Sequence, residues 1–286
     1  MTPLLRSALI VLPLLFGLTM LSLFNPKGDF WLTVEFPKAQ CEAYDPGKLA
    51  NAASVSTALY APEKLDRLIR EPQNTLSNLA YCWAGLAIVV AGRKIFSLSL
   101  GWGSVFLGLG SGAYHASLLP EWRLVDILGV YVVLFSVVGL GVAAVWRIEL
   151  SKRAWLAFAA VIWVAAVFCG IFRNDVRIGG LKVFDSTYVV VGFVTAGFLL
   201  GLLASRRAPG RSAYWRVFTV LSIFAAIAFT GGLGDRFGGF WASPEGLVQG
   251  HAVWHTFGAL ALIAVYELFA LVGFDRSTLA APAAEM

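Results

Sequence analysis

With 286 residues, 58% of them hydrophobic and only 14% charged, and a mean hydropathy of +0.75, the chain cannot cover itself with polar surface and is not a soluble globular domain. Its formal charge of +5 and pI near 9.2 do not indicate nucleic acid, because the basic residues fall in short loops between apolar stretches. The composition is that of an integral membrane protein.

A bilayer crossing takes about 20 mostly apolar residues. In chain order, Leu5–Phe24, Thr75–Ala91, Ile95–Leu118, Leu124–Trp146, Ala154–Phe172, Thr187–Ala204, Val217–Leu233 and Val248–Gly273 qualify. The first has a short basic start at Arg6 and no clear small-x-small site before Asn25-Pro26. Residues 1–24 therefore read as an uncleaved anchor, with a cleaved signal segment as the alternative. The longest polar segment follows, and within it Pro62–Arg70 suits a short helix with Leu65, Leu68 and Ile69 on one side. That helix either lies on the membrane surface or belongs to a solvated lid.

Positive charge sorts the loops. Arg93 and Lys94, then Arg147, Lys152 and Arg153, then Arg206, Arg207, Arg211 and Arg216 occupy alternate connections. Arg123, then Arg173, Arg177 and Lys182, then Arg236 occupy the others. The heavier set faces the cytoplasm by the positive-inside rule, which places both termini inside and residues 25–74 outside. Residues 75–273 then form a seven-helix core, and 274–286 a cytoplasmic tail. Cys41, Cys82 and Cys169 are odd in number and scattered, so there is no disulfide framework and no CxxC pair.

On this topology the three histidines of the chain, His115, His251 and His255, all lie at the outer membrane face. Ionisable groups in spans mark functional sites, and three imidazoles with an open fourth position form a recurrent catalytic zinc shell. His251 and His255 are four apart and share one helix face; Ser111 and His115 repeat that spacing on the third span. Asp126 follows His115 after a tight turn expected at Pro120-Glu121-Trp122 and opens the fourth span at the same depth. Each group alone has a plainer role. A histidine can be a packing residue, Asp126 a partner of Arg123, and Ser111 a small contact beside Gly108, Gly110 and Gly112. Common depth and the two spacings together favour a metal site.

The run Phe106-Leu107-Gly108-Leu109-Gly110-Ser111, followed by His115, Asp126 and Gln249-Gly250-His251-Ala252-Val253-Trp254-His255, resembles the alkaline ceramidases. Glu71-Pro72-Gln73-Asn74-Thr75-Leu76-Ser77-Asn78 matches the family's first-span motif, and the likeness runs from about Cys41 to Gly273. These enzymes belong to a superfamily of seven-span membrane hydrolases that includes the adiponectin receptors. The resemblance implies an all-α bundle of seven spans, here preceded by one more, with Zn2+ held by His115, His251 and His255. It also implies Ser111 and Asp126 as catalytic partners. The activity implied is hydrolysis of ceramide or a related N-acyl lipid to a fatty acid and a free amine, with water activated at the metal. Tyr114 and Trp254 either wall the site or, more plainly, only pack in the core. Two departures stand out. Asp126 is followed by Ile127-Leu128-Gly129-Val130 where the eukaryotic enzymes carry Glu-Leu-Pro-Met. Of the family's acidic Ca2+ site, Glu42, Glu71 and Asn74 remain, split by a longer insert. The rival from another class is a seven-span receptor or sensor in which zinc is structural and four-coordinate.

Overall fold

The computed structural model describes residues 69, 71–92, 95–148, 151–172, 177–178, 181–182, 186–206, 208, 210–234 and 249–272. The expected anchor Leu5–Phe24, the helix Pro62–Arg70 apart from Ile69, Cys41, Glu42, Arg236 and the tail 274–286 lie outside them.

The described chain is an all-α membrane helix bundle. Its helices are α1 (Pro72–Ser77), α2 (Leu79–Ala91), α3 (Ile95–Ser117), α4 (Pro120–Trp146), α5 (Lys152–Phe172), α6 (Ser186–Ser205), α7 (Arg211–Gly234) and α8 (Gly250–Leu271). Five spans are long and apolar enough to cross a membrane: Pro72–Ala91, which joins α1 to α2, and those of α4, α5, α7 and α8. In α6 the apolar run is shorter, Val190–Ala204. The 23-residue α3 has the length but is diluted by glycine and serine. Between α5 and α6, where the sequence suggests only a loop, two short strands, β1 (Arg177–Ile178) and β2 (Leu181–Lys182), pair antiparallel with Ile178 opposite Leu181. The Gly179-Gly180 dipeptide between them is a two-residue hairpin signal.

Apolar side chains cover both faces of these helices, so hydrophobicity does not tell interior from exterior. Val90, Leu109, Val164 and Phe168 are well exposed, as expected of a surface that meets lipid rather than water. The interior is marked by small and polar residues. Ser97, Ser104 and Ser111 recur every seven residues along α3, and all are buried. Small residues let membrane helices approach closely, which replaces the hydrophobic drive missing in lipid. On α3, a Cβ at Gly108 would come within 2.8 Å of the Asn78 carbonyl oxygen and the Cys82 amide, so α2 is pressed against α3 there. Gly110 receives Val125, and Gly129 receives Leu107, which locks α3 to α4. Replacing Gly108 by alanine should lower stability by about 1–3 kcal/mol, because backbone cannot move aside as a side-chain tip can. A thermal midpoint in detergent equal to that of the wild type would refute this close contact.

One expectation is corrected. Pro120-Glu121-Trp122 is not a turn but the first turn of α4, with Pro120 at a position that suits its fixed φ and missing N–H. The reversal occurs one step earlier. Leu118 takes a left-handed φ of 58° and returns its N–H to the Tyr114 carbonyl, and Leu119 is extended, as the residue before a proline prefers. The outcome for the site is unchanged, since α4 still runs back beside α3.

Candidate metal centre

Three helices converge where α3 ends and α4 and α8 begin. His115 lies in the last turn of α3, while His251 and His255 occupy the first two turns of α8. All three are buried, at 0%, 6% and 4% exposure, and one ligand nitrogen from each lies within 4.8 Å of the others. The ring centroids of His251 and His255 are 4.3 Å apart, as four-residue spacing on a helix requires. His115 joins them from the end of α3, with its centroid 4.8 Å from His251 and 5.1 Å from His255.

His115 Nε2 and His251 Nε2 lie 3.2 Å apart. Two imidazole lone pairs at that distance repel, so the contact needs a proton on one of the two nitrogens or a shared cation. Tetrahedral zinc with arms of about 2.0–2.1 Å would hold its ligand nitrogens about 3.3–3.4 Å apart. The donor set suits such an ion and the His115–His251 separation is near that spacing; among the described residues this trio is the group able to hold one.

The outward nitrogens are held as well. His115 Nδ1 lies 2.6 Å from Glu71 Oε2, a short charge-assisted contact. His255 Nδ1 lies 2.9 Å from Ser77 Oγ and 3.2 Å from the Asn74 carbonyl oxygen. Burial alone would raise the Glu71 carboxyl. The hydrogen bond and charge of His115, with a hydrogen bond from Asn74, outweigh it and hold Glu71 below the ordinary carboxylate range. Glu71 and Asn74 thus face the histidines and each other, with Asn74 Nδ2 donating to Glu71 Oε2 at 3.2 Å.

Ser111 is buried one helical turn from His115. Asp126, 9% exposed, lies in the second turn of α4, held at the level of Ser111 by the neighbouring Gly110–Val125 and Leu107–Gly129 contacts. It stands outside the three-ligand group. The Tyr114 ring stands 5.0 Å from that of His115, whereas Trp254 packs on Gly232 and, at 5.9 Å, on Phe229 of α7. Sequence reasoning missed the supporting roles of Ser77 and of the Asn74 carbonyl. It also missed Tyr81, whose ring meets His255 edge-on at 6.0 Å and whose hydroxyl lies against Gly258. For Ser77 the signal was present in Glu71–Asn78, a motif noticed for its likeness.

Comparison with known proteins adds one finding. The family model described as "Ceramidase" matches residues 64–284. No curated protein and no solved structure matches the chain. The matched stretch contains every helix of the bundle and every group around the imidazoles, and on that ground the chain belongs to the ceramidase family.

Proposed function

We propose that this protein hydrolyses the amide bond of ceramide or a related N-acyl lipid in the membrane, releasing a fatty acid and a free amine. The observation that carries the reading is the buried trio of His115, His251 and His255, whose ligand nitrogens lie within 4.8 Å of one another and which, among the described residues, is the group placed to hold a metal. Structural zinc sites are closed by a fourth protein ligand, whereas catalytic ones keep that position for water and substrate. An open fourth position at the trio is what an enzyme, rather than a receptor, requires.

A zinc ion held by the three imidazoles would supply Lewis acidity and make water nucleophilic near neutral pH. The remaining chemistry falls to the chain. Asp126 accepts a proton from the attacking water and returns it to the departing amine, as a general base and then acid. Ser111 Oγ donates a hydrogen bond to the oxyanion that develops on the amide carbonyl. The apolar bundle dissolves the acyl chain, so the scissile amide is delivered at the depth of the imidazoles without leaving the bilayer. The lysine and arginine distribution supports a centre toward the extracytoplasmic leaflet and termini in the cytoplasm.

Purified protein reconstituted with zinc and given N-acyl sphingoid lipids should release free fatty acid with multiple turnovers. No release from any N-acyl lipid by folded, zinc-loaded protein would sink the assignment. Ser111→Ala should lower kcat by about 10²–10³-fold, the usual consequence of losing one oxyanion donor. An unchanged kcat would remove Ser111 from the mechanism.

A further inference from the structure

The groups that hold the outward nitrogens of His115 and His255 all come from one short stretch, although the two rings belong to different helices. We propose that α1 and its flanks form a brace that fixes His115 and His255 with Nδ1 protonated and Nε2 turned inward, Glu71 and Ser77 being the positioning residues. The proposal rests on reading the trio as a metal centre.

Each end of the brace settles a tautomer by elimination. Glu71 Oε2 already takes a hydrogen from Asn74 Nδ2 at 3.2 Å, and as an acceptor 2.6 Å from His115 Nδ1 it makes that nitrogen the protonated position. Glu71 grips the same residue a second time, with its amide donating to the His115 carbonyl at 3.0 Å. At the other end, the Asn74 carbonyl oxygen has no hydrogen to give, so His255 Nδ1 must donate across their 3.2 Å contact. Ser77 Oγ spends its own hydrogen on that carbonyl at 2.9 Å and turns a lone pair toward His255 Nδ1, also at 2.9 Å. Neutral imidazole has one acceptor nitrogen, so each bond leaves Nε2 as the lone pair offered inward.

The break between α1 and α2 makes this arrangement available. In a continuous helix the Asn74 carbonyl would accept from the Asn78 amide. Here that amide bonds one residue later, to Thr75 O at 3.3 Å, and only the Asn78 side chain returns to Asn74 O, at 2.9 Å. The released carbonyl is the one that receives His255. A helix interruption inside a membrane is tolerated where its freed backbone groups find such partners.

Hydrogen-bonded partners of metal-bound histidines typically contribute about 10–100-fold to metal affinity by fixing ring orientation and tautomer. The test is a zinc titration of detergent-purified protein against a chelator of known affinity. Glu71→Ala should weaken zinc binding by about 10–100-fold, and Ser77→Ala by less, because the Asn74 carbonyl still accepts from His255. Two conservative variants separate positioning from simple charge. Glu71→Gln loses the charge but keeps its reach to Nδ1, whereas Glu71→Asp keeps the charge and falls short. Positioning requires Gln to bind zinc more tightly than Asp, with the cobalt-substituted spectrum of Gln closer to that of the wild type. The reverse order, or wild-type affinity in both Glu71→Asp and Glu71→Ala, overturns the brace and leaves the metal centre standing. Failure of the wild type to bind zinc overturns the metal reading, and the brace with it. If Glu71→Ala does not fold, the order of Gln and Asp decides.

Discussion

Alanine at His255 is expected to remove both bound zinc and hydrolysis, leaving less than about 1% of wild-type activity, from a protein that otherwise binds about one zinc per chain. His255 is buried at 4% exposure and supplies one of the three nitrogens of the trio, with its other nitrogen already held by Ser77 and the Asn74 carbonyl. Its loss leaves His115 and His251 as an incomplete pair. No other histidine exists in the chain to replace it. His251→Ala should behave alike, because His251 stands 3.2 Å from His115 and belongs to the same trio. The measurement is metal content of purified protein by elemental analysis, beside helical content and elution volume as a check on folding. A folded His255→Ala that retains its zinc would refute the residue as a ligand. A folded wild type devoid of metal would turn all three histidines into packing residues.

The histidine centre was legible in sequence because helix geometry is local. Four-residue spacing placed His251 with His255, and Ser111 with His115, before any tertiary contact was known. The meeting of α3 with α8 could be anticipated only through common membrane depth, since His115 and His251 are 136 residues apart. The supporting groups were a different matter. Ser77 meets His255 across 178 residues, and the carbonyl of Asn74 carries no side-chain signature at all. Its availability depends on the helix break at Asn78, which no proline or glycine announces. The reversal before α4 was misread for a related reason. Pro120 signals both a turn and a helix start, and the left-handed Leu118 that makes the turn is not a residue type that advertises it. Helix interiors were marked less by hydrophobicity than by the seven-residue serine series of α3, because lipid and core accept the same apolar side chains.

Asp126→Asn should separate chemistry from metal binding. Asparagine keeps the shape and much of the hydrogen-bonding capacity of Asp126 but cannot take up a proton. The expected result is a fall in kcat of about 10²–10⁴-fold, the range for loss of a general acid–base group. Zinc content should be unchanged, because Asp126 lies outside the three-ligand group. The α3–α4 contact is made by Val125 against Gly110 and Leu107 against Gly129, so the substitution should not disturb it. Charge pairing with Arg123, three residues earlier on the same helix, would give another pattern: lowered stability with turnover per folded molecule retained. Retained full activity would strike Asp126 from the mechanism, and concurrent loss of zinc would move it into the ligand set. A slow variant with a full complement of zinc would show that the three imidazoles hold the metal while a carboxylate on the adjoining helix handles the protons.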